Sequence, residues 1–199
     1  MSTQVRQGGM VTTRIPVAQA ASEFLSRQRI AVTGVSRHPE SHGGNVVYKR
    51  LRERGYQVFA VNPSALSVEG DVCYPDLRSI RGGVEAVVIA TSPAHASATV
   101  RECVELGVDH IWMHRSVDGG SVSHEAAELA REHGLSVIEG GCPLMFAPVS
   151  DPAHKVMRFV LSFSGRVPRA VELPNDPDDA GLLATPGASA GGHAGTERR

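Results

Sequence analysis

The chain alternates between two kinds of hydrophobic patterning. Continuous apolar runs rich in β-branched residues occupy positions 30–35, 58–61, 84–90, 110–113 and 135–138. A run without polar interruption needs cover on both faces, as a strand inside a parallel sheet has. Between these runs the apolar residues fall at helical spacing. Val47, Tyr48 and Leu51 share one side of 45–54, Ala96, Val100, Cys103 and Val104 share one side of 94–106, and Ala126, Leu129 and Ala130 share one side of 123–133. Gly55, Gly107 and Gly134 follow these segments where left-handed C-terminal caps belong. Ser92 and Pro93 suit the N-cap and first helical position of the second helix.

Strand and helix in repeated alternation predict an α/β fold, a doubly wound five-stranded parallel sheet. Flanking helices are expected at 17–28 and 151–164. The second carries Val156, Phe159, Val160 and Phe163 at helical spacing, a stripe expected to pack on the sheet, with an oligomer contact as its other use. The link from 61 to 84 is less regular and is read as holding a short helix near 77–80. The expected division is a flexible N-terminus at 1–16, one domain with its terminal helices at 17–168, and a disordered tail at 169–199. The tail is rich in Gly, Ala, Pro and Asp, too poor in bulky apolar residues to offset its ordering entropy.

Composition narrows the function. The 199 residues suffice for one core and carry 20 Lys and Arg against 21 Asp and Glu, a formal net charge of -1. That balance argues against nucleic acid as a partner, which needs a field of phosphate-neutralising cations. No basic cluster suits an anionic membrane surface. No run approaches the ~20 apolar residues of a membrane span, and the first residues lack the apolar core of a secretory signal. The cytoplasm is the expected compartment. Cys73, Cys103 and Cys142 are odd in number and lack paired spacing, which fits reduced thiols. No H-E-x-x-H or cysteine-pair spacing appears, so no metal site is expected.

In such sheets ligands sit outside the carboxyl ends of the strands. After the first strand comes Gly34-Val35-Ser36-Arg37-His38-Pro39, then Ser41-His42-Gly43-Gly44 and a helix. Glycine allows close backbone approach, and a helix N-terminus offers N–H groups to phosphate. Yet this is not the dinucleotide fingerprint G-x-G-x-x-G: Ser36 and Pro39 occupy its second and third glycine positions. The second strand ends in Asn62-Pro63, where an NAD enzyme usually places a carboxylate for the ribose.

The segments IAVTGVSRHPE, GYQVFAVNP, VEAVVIATSP, HIWMHRSV and GLSVIEGGCP follow in that order between Arg29 and Pro143. With them the chain resembles the CoA-binding domain proteins, Rossmann-like and related to the CoA-binding domain of the succinyl-CoA ligase alpha subunit. The resemblance implies that the phosphates and adenosine of CoA meet Gly34, Ser36, Arg37, His38, Asn62 and Pro63. It implies further contacts at Met113, His114 and Arg115 and, beside them, at Thr91, Ser92 and Pro93. Many relatives carry glutamine and glycine where this chain has His114-Arg115-Ser116.

The function expected from this resemblance is non-catalytic binding of coenzyme A or an acyl-CoA, with a small nucleotide ligand as partner and no catalytic residue assigned. An NAD(P)-binding oxidoreductase ranks below it. A partner subunit of an acyl-CoA ligase is the other alternative, and a homodimer is a candidate assembly. Cys142 is read mainly as a small buried hydrophobe, with a reactive thiol as its other reading.

Overall fold

The computed structural model describes residues 3–7, 10–38, 43–116, 119–150 and 152–174. Its centre is a seven-stranded sheet built from β3 (Arg29–Thr33), β4 (Gln57–Val61), β5 (Ser67–Val68), β6 (Asp71–Tyr74), β7 (Ala86–Ile89), β8 (His110–Met113) and β11 (Ser136–Glu139). The order across the sheet is β11-β8-β7-β3-β4-β6-β5, and β9 (Arg115–Ser116) pairs with β10 (Gly119–Gly120) in a separate two-stranded ribbon. Every pairing from β11 to β6 is parallel, and only β5 runs antiparallel, against β6. The five strands expected from the apolar runs are all present. Two short edge strands extend them, in a link whose expected helix is instead a series of turns that buries Leu77 and Ile80.

Strand order reverses between β3 and β7. From β3 the chain steps outward through β4 and β6, then returns to β7 and steps the other way through β8 and β11. This is the Rossmann-like arrangement, and the reversal opens a crevice at the carboxyl ends of β3 and β7.

The alternation of side chains along each strand divides the core. Ile30, Val32, Ala60, Val88 and Trp112 pack on one face with α1 (Val17–Leu25) and α2 (Gly43–Glu53). Ala31, Val87, Ile89 and Ile111 pack on the other with α3 (Pro93–Leu106) and α4 (His124–Glu132). Trp112 is fully buried, meets Phe24 of α1 edge-on at 5.3 Å, and donates its indole N–H to Gly140 O at 3.0 Å. All three cysteines are buried, and none is in a disulfide. Burial pushes Cys103 up to about 12.

The flanks differ from the expectation. A second sheet contains β1 (Thr3–Gln7), β2 (Met10–Pro16) and β12 (Ala170–Pro174), with β2 in the middle. Residues 1–16 were expected to form a flexible end, yet Met10–Pro16 pairs antiparallel with Ala170–Pro174 and buries Ile15 against the core. The ordered unit therefore runs past 168 to 174, and the remainder of the expected tail, 175–199, lies outside the described residues. The helix at the C-terminal side is present as α5 (Pro152–Phe163), but its stripe does not pack on the sheet. Val156, Phe159, Val160 and Phe163 are 65%, 68%, 58% and 76% exposed, while Leu161 and Met157 on the other side meet the core.

Candidate functional site

The loops after β3, β4, β7 and β8 converge on the beginning of α2. Gly34 has φ +76°, and a Cβ there would lie 2.6 Å from Ala90 O, so only glycine lets the loops after β3 and β7 approach so closely. Gly34 N also donates to Val61 O at 2.9 Å, tying in the end of β4. Gly44 brings α2 into the same junction: a Cβ there would lie 3.0 Å from Ala90 Cβ. Gly43 does the same for the loop after β8, since its Cβ would fall 2.6 Å from Cε1 of His114.

Two asparagine side chains hold the loop after β3. Asn45, buried in the first turn of α2, accepts from Ser36 N and donates to Ser36 O, both at 2.8 Å. Its amide also donates to Glu69 Oε1 at 2.8 Å, and Lys49 Nζ lies 3.4 Å from Glu69 Oε2. Asn62 donates to Val35 O at 2.8 Å and accepts from Ser64 N at 2.9 Å. Asn62 thus ties the ends of β3 and β4 together through backbone groups, and it presents no carboxylate at the position where NAD enzymes hold the ribose. Ser36 Oγ accepts from His38 N at 3.0 Å, and the side chains of Arg37 and His38 are exposed.

Other residues singled out from sequence fall into distinct places. Pro63 is exposed at the turn after β4. Ser92 stands at the N-cap of α3 and Pro93 in its first turn, but the Ser92 hydroxyl makes no capping bond. Thr91 Oγ1 is buried without a hydrogen-bond partner among the described residues, as is Thr33 Oγ1 at the end of β3. Met113 belongs to the core on the α3 and α4 face. Arg115 is exposed, with its N–H donating to Gly141 O at 2.9 Å. His114 is buried against α2, and burial, then the neighbouring His154, pulls its pKa down to about 4. A neutral imidazole suits the positive end of a helix. Cys142 is buried beyond the end of β11. Among the described residues no group of three metal-ligating side chains occurs.

Sequence reading placed Gly43 and Gly44 in the first loop but passed over Asn45 and Glu69. The available signal was Asn45 itself, three residues before Tyr48 and therefore on the apolar side of α2. A buried amide must find partners there, and it finds the Ser36 backbone.

The profile described as CoA binding domain matches residues 28–148, which include all four loops. The chain belongs to the CoA binding domain family. Within it, the chain is 29% identical over 126 residues to the alpha subunit of the ADP-forming acetate–CoA ligase II of Pyrococcus furiosus, covering 60% of this chain but 27% of that subunit. It is 27% identical over 128 residues to the uncharacterized protein YneT of Bacillus subtilis, covering 64% of this chain and 91% of that protein. A hypothetical protein from Pyrococcus horikoshii superposes with a TM-score of 0.59 at 30% identity, over 64% of this chain and 87% of that one. The CoA binding domain match spans 28–148, so β1, β2, α1, α5 and β12 lie outside it. No described helix is long and apolar enough to cross a membrane.

Proposed function

We propose that this chain binds coenzyme A or an acyl-CoA in the crevice between the loops after β3 and β7, and that it carries out no reaction there itself. The observation that carries the reading is the family match across all four crevice loops. The pinning of Gly34 and Ser36, whose own N–H groups are bonded to Val61 O and Asn45 Oδ1, would set a phosphate against the start of α2, with Arg37 adding charge and His38 a donor at the exposed rim. Asn62 supports CoA over NAD(P), because it places a neutral amide where NAD enzymes hold the ribose with a carboxylate. His114 and Cys142 are both buried, which supports binding without catalysis.

The test is calorimetric titration of the purified chain with CoA, acetyl-CoA and NAD. CoA or its thioester should bind at least about tenfold tighter than NAD, a gap of about 1.4 kcal/mol. Tighter binding of NAD would reverse the assignment. A second reading is a ligase partner subunit, favoured by the match to a ligase alpha subunit. It requires that affinity purification from the native host bring down a second chain that confers acyl-CoA synthesis on the mixture.

A further inference from the structure

A groove of about 590 Å³ lies along α5, outside the residues matched by the family. Its walls join two kinds of surface. Met145, Phe159 and Phe163 supply apolar area, while Lys155, Arg158 and Arg169 supply positive charge. Among the described residues no carboxylate lines the groove, and none of the three cations forms an ion pair there.

The cations are placed by separate parts of the fold. Arg158 lies over the Phe146 ring at 5.0 Å, and its Nη1 is 3.5 Å from Met145 O. Arg169 precedes β12, and its carbonyl accepts from Val17 N at 3.1 Å. Lys155 is on α5, one turn before Phe159. The two rings of Phe159 and Phe163 meet edge-on at 5.1 Å and remain exposed. Cations without a carboxylate partner among the described residues, set beside exposed aromatic rings, suit one class of molecule. It carries an anionic head for the cations and an apolar body for the rings.

We propose that the groove binds a small anionic amphiphile, a carboxylate on an aliphatic body. A guanidinium takes a carboxylate through two parallel hydrogen bonds. The volume lies within the range of small-molecule sites, roughly 300–1,000 Å³. A second copy of the chain fits less well, because α5 carries Lys155 and Arg158 but no acidic residue, so a self-paired α5 would set cations against cations.

The probe is decanoate, kept below micelle-forming concentrations and titrated calorimetrically into the full chain, with decanol as its neutral counterpart. Decanoate should bind saturably, and decanol about tenfold more weakly. The double variant Lys155→Glu/Arg169→Glu should lose about tenfold in decanoate affinity, and Phe159→Ser about threefold. These side chains are exposed, so folding should survive, and CoA affinity should stay the same in every variant. Saturating CoA should leave decanoate affinity unchanged.

Absence of saturable binding, equal affinity for decanol, or indifference to both variants would overturn the proposal. So would competition between decanoate and CoA, or binding confined to phosphatidylglycerol vesicles. A sedimenting dimer that Phe159→Ser converts to monomer would assign the face to self-association instead. Decanoate binding without any CoA binding would leave this site standing and remove the function proposed for the crevice.

Discussion

Asn45 and Ser36 are joined by two hydrogen bonds of 2.8 Å, one in each direction between the Asn45 amide and the Ser36 backbone. This pair fixes the loop after β3 to the helix that follows it. Asn45→Ala would strand the Ser36 N–H and C=O in a partly buried position. The expected cost is about 1–3 kcal/mol of stability, read from urea denaturation, together with weaker CoA binding. Asn45→Asp keeps the acceptor, loses the donor and faces Glu69, so it should be no better than alanine. Unchanged stability in both variants would show that the loop is held by other means.

Arg37 tests where the phosphates go. Its side chain is exposed, so Arg37→Ala should fold normally. A charge-assisted hydrogen bond is worth about 1.5–3 kcal/mol, which predicts a loss of about tenfold to a hundredfold in CoA affinity. The variant should also show a shallower salt dependence. Wild-type affinity at both low and high salt would remove Arg37 from the site.

His114 makes stability depend on pH. Its folded pKa is pulled down to about 4, whereas an unfolded histidine titrates near ~6.5. Between these values the unfolded chain binds the extra proton, so stability rises with pH across the window. The contribution is complete above about pH 6.5 and is lost as pH falls toward the folded value, on the order of 3 kcal/mol in all. Urea midpoints at neutral pH and near pH 4.5 should therefore diverge in wild type and diverge less in His114→Asn, where His110, also lowered by burial, still contributes. An equal acid loss in the variant would assign the sensitivity to other groups.

The two ends of the ordered unit predict different truncations. Deleting 175–199 should leave the melting temperature nearly unchanged, in keeping with that segment's composition. Deleting 170–199 removes β12, uncovers β2 and loses the buried Val171, so it should lower the melting temperature by several degrees. Equal behaviour of the two truncations would deny β12 a stabilising role.

What was legible in the sequence follows from signal length. Each of the five central strands is a continuous apolar run, because α1 and α2 cover one face and α3 and α4 the other. The helices between them carry stripes and glycine caps, so their order was readable too. The sheet β1-β2-β12 was not, because its long-range partners, Ile15 and Val171, leave little apolar pattern in either segment. The stripe on α5 has the periodicity of a core helix, yet periodicity identifies a face without saying what covers it, and Leu161 and Met157 make the inward contact instead. At the site, Gly34 could be read from its place after a strand. Asn45 could not be assigned its partner, because the bond spans nine residues across a turn, and the bond from Asn62 to Val35 O joins two strand ends that only the sheet brings together.

The register of the small sheet sets Thr12 directly opposite Pro174. Entry into the domain and exit from it therefore lie on neighbouring strands, separated by about 5 Å in the hydrogen-bonding direction. A unit with that geometry is a natural cassette. Residues 10–174 could be spliced into an exposed loop of a host protein through short connectors, giving up only the β1 pairing, and the host would need to part by only the width of a strand. Strain on either junction would pull directly on the β2–β12 ladder, making that ladder the place where an inserted copy and its host would feel each other mechanically.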